Sequence, residues 1–442
     1  AKEHYDGHIK QLCFLPFYHV FGLIAVYIWF AFFSRAFVQL NDMQPQTIVN
    51  TIKRHKVTHI FAVPLFWETV YDQAVKTIKN RGETTYRKFL KGMRIARRLS
   101  GVPALANAFG KAAFREVREN LFGESVRFMI TGGGAIREEV MTFFNAIGYH
   151  LADGYGMTEI GITSVELSTR PSQRNTCSVG LPLSDTEYRI NENGERLVRG
   201  RTIANYIIED GKKTVSDKQA WFNTHDLAAF SGGSYHILGR TDDLIVTANG
   251  ENLNPNVTEP LLRTDGTDGV CLVSGGDTAV LLVSVDRCIA KERLEAVDRQ
   301  LKQNIAACGL TGQIGRIVYL AEPLMRDGEF KLNRRRLTAG YRSGSLAVLD
   351  PRTRTDDGEQ DALLLSLRQT IAAALARTPD ELAPQADFFT DLGGTSLDYF
   401  ALLAKLQEDY GIPFPQGEGS PRTPRELHDY IKKQTDGHEA SC

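Results

Sequence analysis

"GYGMTEIG", residues 154–161, sets two glycines around a tyrosine and follows them with a threonine and a glutamate. Gly154 and Gly156 carry no Cβ, so a backbone there can come close to a ligand. Tyr155 offers a flat stacking face. Thr158 and Glu159 place a hydroxyl beside a carboxylate, which suits a phosphate oxygen and its Mg2+. The bland alternative for the same stretch is a turn with a helix cap. The surrounding chain has to decide.

Upstream, "SVRFMITGGGAI" (125–136) reads as a strand running into glycines, and "EEVMTFFNAIG" (138–148) as a helix closed by Gly148. "HIFAVPLF" (59–66) reads as an earlier buried strand followed by a turn. This alternation indicates α/β units, with loops gathered at strand ends where ligands bind. Residues 81–99 form a basic helical stretch with Tyr86, Phe89, Leu90 and Met93 on one face. From about 165 to 238 the pattern changes to short strands and turns, as in "EYRINENGERLVRG".

A new unit starts near Gly239. "GVCLVSG", "AVLLVSV" and "GRIVYLA" read as strands, and "KERLEAVDRQLKQNI" as a helix with Leu294, Val297, Leu301 and Ile305 on one stripe. Residues 340–361 are polar and turn-rich, a linker by composition. Beyond them only helices are expected. Leu364, Leu367, Ile371 and Leu375 share one face, and Tyr399, Leu402, Leu403, Leu406 and Tyr410 share another. The last helix opens on "TPRE" (423–426), a capping box with Thr423 as N-cap, Pro424 at N1 and Glu426 at N3.

A length of 442 residues corresponds to about three domains. Hydrophobic residues at 42% and charged residues at 24% are those of a globular chain with a sizeable core. A net charge of −1 supplies no global field for nucleic acid. The six cysteines are scattered, with no CxxC pair, which argues against zinc and a disulfide framework and for a reducing, cytoplasmic setting. Residues 12–33 carry no acidic or basic side chain and have the length of a membrane span. Pro16, His19 and Gly22 interrupt the first half, so a buried strand, a loop and a core helix are expected instead. The chain opens on "AKEHYDGHIK" without a Met or a secretory signal, and is read as a fragment or a processed chain.

Further motifs follow in order: "PFYHVFG" (16–22), "FNTHDL" with Asp226, "GRTDDLIVTANGENLNP" (239–255) and "GEFKLNRRRL" (328–337). With "TGGGAI" and "GYGMTEIG" in register, the set resembles the acyl-adenylate-forming superfamily over residues 12–340. "PFYHVFG" and "VPLFWETVYDQAVK" (63–76) look most like its long-chain fatty acyl-CoA synthetase branch.

The resemblance implies a role for each matching position. Tyr155 stacks on adenine, and Gly133, Gly134 and Ala135 line the purine edge. Thr158 contacts phosphate and Glu159 holds Mg2+. Asp226 and Arg240 grip the ribose hydroxyls. Lys331 stabilises charge as the carboxylate attacks the α-phosphorus of ATP. Asp242 is the hinge about which the small domain rotates between half-reactions. Gly250 lines the thiol tunnel, and His19, with Gly154, belongs to the acyl pocket. Taken singly, Lys331 reads as a solvated charge, Asp226 as a turn residue and His19 as a core histidine bonded to backbone.

Two departures stand out. Residue 225 is histidine where the family has glycine, which is expected to crowd the loop or alter the nucleotide fit. No GxxxxGK(S/T) stretch, whose backbone N–H groups cradle the β- and γ-phosphates, occurs in the chain. ATP binding is therefore expected to be impaired, by truncation or by degeneration. No acid in "FYHVFG" pairs an α-ammonium, and burying one unpaired is costly, so a fatty or other carboxylic acid fits better than an amino acid. The basic helix 81–98 is read as a solvated face, with peripheral contact to an anionic membrane as the alternative.

"DFFTDLGGTSLDYFALL" resembles the phosphopantetheine site of carrier proteins over about 361–434. Asp387, Phe388, Phe389, Leu392, Gly393, Gly394 and Leu397 match the pattern, and Ser396 is the implied attachment point. Thr395 stands where Asp or His is more usual. As a plain sequence, Ser396 reads as a helix-capping serine.

The expected architecture is a multidomain α/β chain. It holds the C-terminal part of a truncated large adenylate-forming domain (1–238), a small mobile α+β subdomain (239–340), a linker (341–360) and an all-α four-helix carrier bundle (361–436). The expected chemistry is that of an acid–thiol ligase. ATP and Mg2+ activate the acid, and the acyl group passes to 4'-phosphopantetheine on Ser396, with free CoA as the variant acceptor. A phosphopantetheinyl transferase and a downstream acyl acceptor enzyme are the implied partners. The rival readings are an amino-acid-activating peptide-synthetase module, a non-catalytic carrier module with a remnant adenylation domain, and a membrane-anchored protein.

Overall fold

Short apolar strands in parallel register build the first sheet, because helical crossovers cover both of its faces. The computed structural model describes residues 9–28, 31, 36–40, 45–209, 211–248, 250–286, 289, 291–325, 332–349, 362–375, 377–379, 382–394, 396–415 and 420–439. The strands are β1 (Lys10–Cys13), β2 (Ala36–Gln39), β3 (His59–Ala62), β4 (Phe128–Gly132), β5 (Leu151–Met157) and β6 (Gly161–Val165), in the order β2-β1-β3-β4-β5-β6. Successive pairs are parallel except β5 with β6, which run antiparallel.

Alternation along these strands divides the core in two. Leu12, Ile60 and Met129 face a cluster built around Trp67, Phe122, Phe143 and Phe144. Cys13, Phe61, Phe128 and Ile130 face a second cluster with Phe21 and Val26. The Trp67 ring lies 5.4 Å from Phe144 and 6.3 Å from Phe122. Each fully buried side chain of this size stabilises the fold by about 2 kcal/mol. The basic helix is Glu83–Leu99, and Phe89 and Met93 pack on the first cluster as their shared face requires.

The segment expected to hold a strand, a loop and a core helix does carry the end of β1 and a loop, but its helix is a π-helical run, Phe21–Ile28, of which Leu23, Tyr27 and Ile28 are exposed. The chain doubles back tightly ahead of it: a Cβ on Gly22 would lie 2.3 Å from the Pro16 carbonyl oxygen. Among the described residues no helix is long and apolar enough to cross a membrane.

The β-rich stretch is an antiparallel sheet, β12-β11-β8-β7, beside a separate ribbon. Its strands are β7 (Thr186–Ile190), β8 (Glu195–Gly200), β11 (Phe222–Ser231) and β12 (Ser234–Arg240), and the ribbon is β9 (Tyr206–Glu209) with β10 (Lys212–Val215). A 3-10 turn, Thr241–Asp243, and the short strands β13 (Ile245–Val246) and β14 (Asn252–Leu253) follow. Strand β12 is tied to β11 and lies in the first compact unit, which runs through Ile245 and also takes in Asn252–Pro260.

In the second unit a four-stranded sheet has the order β15-β16-β17-β18, with β15 (Gly269–Ser274), β16 (Ala279–Ser284), β17 (Ile314–Leu320) and β18 (Val348–Leu349). The helix Lys291–Ala307 buries Leu294, Val297, Leu301 and Ile305, the expected stripe. Residues 341–349, expected as linker, hold the end of the helix Arg334–Ser343 and strand β18, which pairs with β17. Polar composition hid this strand because Val348 is exposed at a sheet edge. Residues 350–360 lie outside the described residues.

The helices Ala362–Ala374, Ser396–Tyr410 and Pro424–Glu439 enclose one apolar core that includes Leu367, Ile371, Phe388, Tyr399, Leu402, Leu406, Leu427 and Ile431. These are the three α-helices among the described residues of the expected four-helix bundle. The predicted capping box is present. Glu426 donates its backbone N–H to Thr423 Oγ1 at 3.1 Å, and Glu426 Oε2 accepts the Thr423 N–H at 3.2 Å.

Candidate functional site

Strand β4 ends at Gly132, paired to Gly154, and β5 runs on alone from there to Met157 against β6 as the chain leaves the core. In an open α/β sheet this edge is where ligands bind. Gly132 is needed there: a Cβ would lie 3.1 Å from the Gly154 carbonyl oxygen and 3.5 Å from the Phe21 ring. Gly133 then takes φ +84 with nothing within 4 Å of a Cβ, so the loop Gly133, Gly134, Ala135 exposes bare backbone. Arg137 anchors its far end, donating to both Asp72 carboxylate oxygens at 2.9 Å and to Glu139 at 2.7 Å.

Gly156 permits the tight β5–β6 return, since a Cβ would meet the Gly161 carbonyl oxygen at 2.4 Å. Thr158 and Glu159 occupy that turn, Thr158 exposed and Glu159 half-buried. Neither side chain has a hydrogen-bond partner among the described residues, so both remain available. No cluster of three metal-ligating side chains occurs among the described residues. One free carboxylate beside a hydroxyl fits Mg2+, which takes one or two protein carboxylates plus ligand phosphates and water.

Tyr155, Asp226 and Arg240 are brought together. The Tyr155 hydroxyl donates to Asp226 Oδ2. Arg240, directly across β11–β12 from Asp226, donates to Oδ1 at 3.2 Å and reaches Asp242 at 3.6 Å. The Thr224 hydroxyl accepts the Asp226 N–H at 3.2 Å. Asp226 is buried, so these donors satisfy a carboxylate that water cannot.

The histidine at position 225 does not crowd this site. His225 adopts φ +56, the left-handed conformation that a glycine would take. Its ring turns outward, 55% exposed, and lies 3.3 Å from Glu195 Oε1. Glu195 also accepts from Asn191 and Asn223 at 3.0 Å each and from the Thr241 hydroxyl at 3.0 Å. The Asn191 and Asn223 amides, with Thr241 and His225, hold its carboxyl down at about 2 against the opposing effect of burial.

One buried group was missed in the sequence. Arg196 is fully buried, and its three guanidinium nitrogens have no hydrogen-bond partner among the described residues. The guanidinium carbon lies 3.2 Å from the Tyr155 ring centroid and 4.6 Å from that of Tyr188. Burial pushes the group down to about 9, partly opposed by Asp226, so it is charged at neutral pH. The signal was in the strand: Arg196 alternates inward with Val198 on β8.

Other expected positions lie apart. His19 is exposed, and its Nδ1 accepts the Phe21 N–H at 3.2 Å at the start of the π-helical run. It is therefore a backbone-bonded histidine, as the bland reading had it, though outside the core. Asp242 lies in the 3-10 turn, three residues before the unit boundary at Ile245. Gly250 is exposed at φ +76 in the second unit. Lys331 lies outside the described residues.

Ser396 begins the helix Ser396–Tyr410, and the turn before it explains the motif. Asp387 Oδ1 accepts the N–H groups of Phe389 and Thr390 at 2.8 and 2.9 Å. Gly393 takes φ +69, and Gly394 donates to the Phe388 carbonyl at 2.8 Å. A Cβ on Gly394 would lie 2.2 Å from the Phe388 ring, which packs against Phe389 and Tyr399. Acid, aromatics and glycines together deliver the serine to a helix start.

Comparison with known proteins agrees with these features. Residues 2–204 match the family of AMP-binding enzymes, and residues 366–431 match the phosphopantetheine attachment site. Long-chain-fatty-acid–CoA ligase 5 of Rattus norvegicus is 27% identical over 267 residues, 56% of this chain and 38% of that protein. FadD15 of Mycobacterium bovis, a long-chain-fatty-acid–CoA ligase, is 30% identical over 269 residues, 58% of this chain and 43% of its own length. The chain thus spans less than half the length of these curated relatives. The A-PCP didomain of carboxylic acid reductase from Segniliparus rugosus, solved with AMP, superposes with a TM-score of 0.53 at 18% identity, over 96% of this chain and 61% of its own. McyG A-PCP with phenylalanyl-adenylate gives 0.55 at 15% identity, over 97% and 68%. At these identities the likeness is one of fold.

Proposed function

We propose that this chain, which joins an AMP-binding enzyme segment to a phosphopantetheine attachment domain, is an acid–thiol ligase that loads a fatty acid onto its own carrier. The observation that carries the reading is the bare glycine loop Gly133–Ala135 beside Tyr155, whose hydroxyl shares Asp226 with Arg240. A purine on the Tyr155 ring would bring its ribose hydroxyls to Asp226 and Arg240. Thr158 and Glu159 would then meet the phosphate and its Mg2+.

The chemistry is two displacements. A carboxylate oxygen attacks the α-phosphorus of ATP, and pyrophosphate leaves with the P–O bonding pair. A phosphopantetheine held on Ser396, or free CoA, would supply the thiol that takes the acyl group in place of AMP, with the thiol proton lost and AMP as the leaving group. Lys331 is assigned to offset the charge on phosphorus in the first step, and Asp242 to the hinge between the two. Gly250 is assigned to the thiol passage, and His19 with Gly154 to the acyl pocket. A tethered thiol acts at high effective concentration. Long-chain-fatty-acid ligases among the relatives and the absence of an acid in "FYHVFG" support a fatty acyl substrate. A cytoplasmic setting, a phosphopantetheinyl transferase and a downstream acyl acceptor complete the proposal.

No GxxxxGK(S/T) stretch is present in these residues to cradle the β- and γ-phosphates. Thiol transfer from a supplied acyl-adenylate is therefore expected to exceed adenylation in this chain.

The test takes the chain with CoA and a phosphopantetheinyl transferase, and then with a long-chain acyl-adenylate. Intact mass should rise by one phosphopantetheine and then by one acyl group, with neither gain in Ser396→Ala. Acylation from an aminoacyl-adenylate alone would replace the fatty reading with an amino-acid one. Loading of the arm with no acyl transfer from either would leave a carrier module.

A further inference from the structure

Arg196 is a buried charged group whose guanidinium nitrogens find no hydrogen-bond partner among the described residues, and no step of the chemistry above uses it. A buried ion costs several kcal/mol unless something compensates it. Compensation here comes from two rings and one carboxylate. The guanidinium carbon is 3.2 Å from the Tyr155 centroid and 4.6 Å from that of Tyr188, and Asp226 is the carboxylate acting on it. Tyr188 is itself fixed, its hydroxyl 2.6 Å from Thr163 Oγ1. Ile160, Val198 and Ile203 seal the cluster on which Tyr155, Tyr188 and Phe222 pack.

We propose that Arg196 is a positioning residue of the nucleotide site, backing one face of Tyr155 so that the ring presents its opposite face to a purine. The proposal rests on the reading of Tyr155 as the base platform. A planar cation on one face holds the ring by cation–π attraction and flat stacking. The Tyr155 hydroxyl is pinned to Asp226 at the ring edge. Face and edge together leave the ring no rotational freedom, so a base meets a surface already in place and little ordering entropy remains to be lost. The same positive charge lies within electrostatic reach of Asp226, the acceptor offered to ribose hydroxyls.

The experiment uses the full chain with AMP as the probe, in wild type, R196M and R196K. Affinity is measured by calorimetry. The ionisation of the Tyr155 phenol is measured by ultraviolet titration, as the difference from Y155F in each background. R196M should bind AMP roughly tenfold more weakly. Its Tyr155 should ionise at higher pH than in wild type, since a cation beside the ring favours phenolate. R196K keeps a charge without a planar face, so its Tyr155 should titrate near wild type while its AMP affinity falls between the other two. Unchanged affinity and unchanged titration in R196M overturn the proposal. If R196M does not fold, R196K decides it, and wild-type AMP affinity in R196K overturns the planar stack. Failure of wild type itself to bind AMP overturns the nucleotide reading instead, and the Tyr155 titration then still judges the Arg196 stack.

Discussion

Tyr155 and Asp226, 71 residues apart in sequence, share a hydrogen bond that ties the six-stranded sheet to the four-stranded one. The pair completes a carboxylate whose other oxygen is held by Arg240. Asp226→Ala removes the acceptor for both donors. AMP affinity should fall on the order of tenfold or more, since each charge-assisted bond contributes about 1.5–3 kcal/mol. Tyr155→Phe keeps the ring and loses one bond, so its loss should be smaller. Calorimetric titration of both variants with AMP checks the order, and equal binding in all three proteins would remove Asp226 from the site.

His225 occupies a glycine's backbone conformation at φ +56. His225→Gly relieves that strain and gives up one part-buried contact to Glu195, which still accepts from Asn191, Asn223 and Thr241. The variant should be more stable by up to about 1 kcal/mol. Urea unfolding followed by fluorescence measures this, and a lower midpoint in the glycine variant would contradict it.

Glu195 is held near 2, below its usual 4.5, by the Asn191 and Asn223 amides. The unfolded chain therefore binds its proton at higher pH than the folded one does. The stabilisation is fully present above about 4.5 and is lost as pH falls from there through about 2. In Glu195→Gln, melting temperature should lose part of its dependence on pH in that window. Parallel wild-type and variant curves from pH 6 to pH 3 would show that Glu195 does not contribute.

Gly394 has no room for a side chain against Phe388. Gly394→Ala should destabilise the C-terminal helices by about 1–3 kcal/mol, the usual cost of overpacking. It should also lower the fraction of chain that a transferase modifies on Ser396. Thr423→Ala, which removes one half of the reciprocal cap, should cost about 1 kcal/mol in the same domain and leave modification intact at low temperature. Intact mass and thermal melting distinguish the two.

What was legible in the sequence was local. "TPRE" predicted a capping box, and both of its bonds are present. "TGGGAI" reads as a strand running into bare backbone and "GYGMTEIG" as a return to a strand and a loop, and Gly132 pairs with Gly154. The stripe on Lys291–Ala307 was read residue for residue. What was hidden depended on distant chain. Arg196 looked like an ordinary strand arginine until two tyrosines from other strands closed over it. The strand Val348–Leu349 looked like linker because two residues carry no periodicity, and only pairing with β17 defines it. His225 looked disruptive because sequence gives residue type but not which way a side chain turns.

The core beneath Phe388 and Tyr399 draws its described members only from residues 363–431. A segment that supplies its own interior melts on its own schedule. Heating the chain should produce a separate transition for this segment, one that Gly394→Ala shifts while the rest of the profile stays in place. The C-terminal helices and the six-stranded sheet would then fail independently, and damage to one can be diagnosed without disturbing the other.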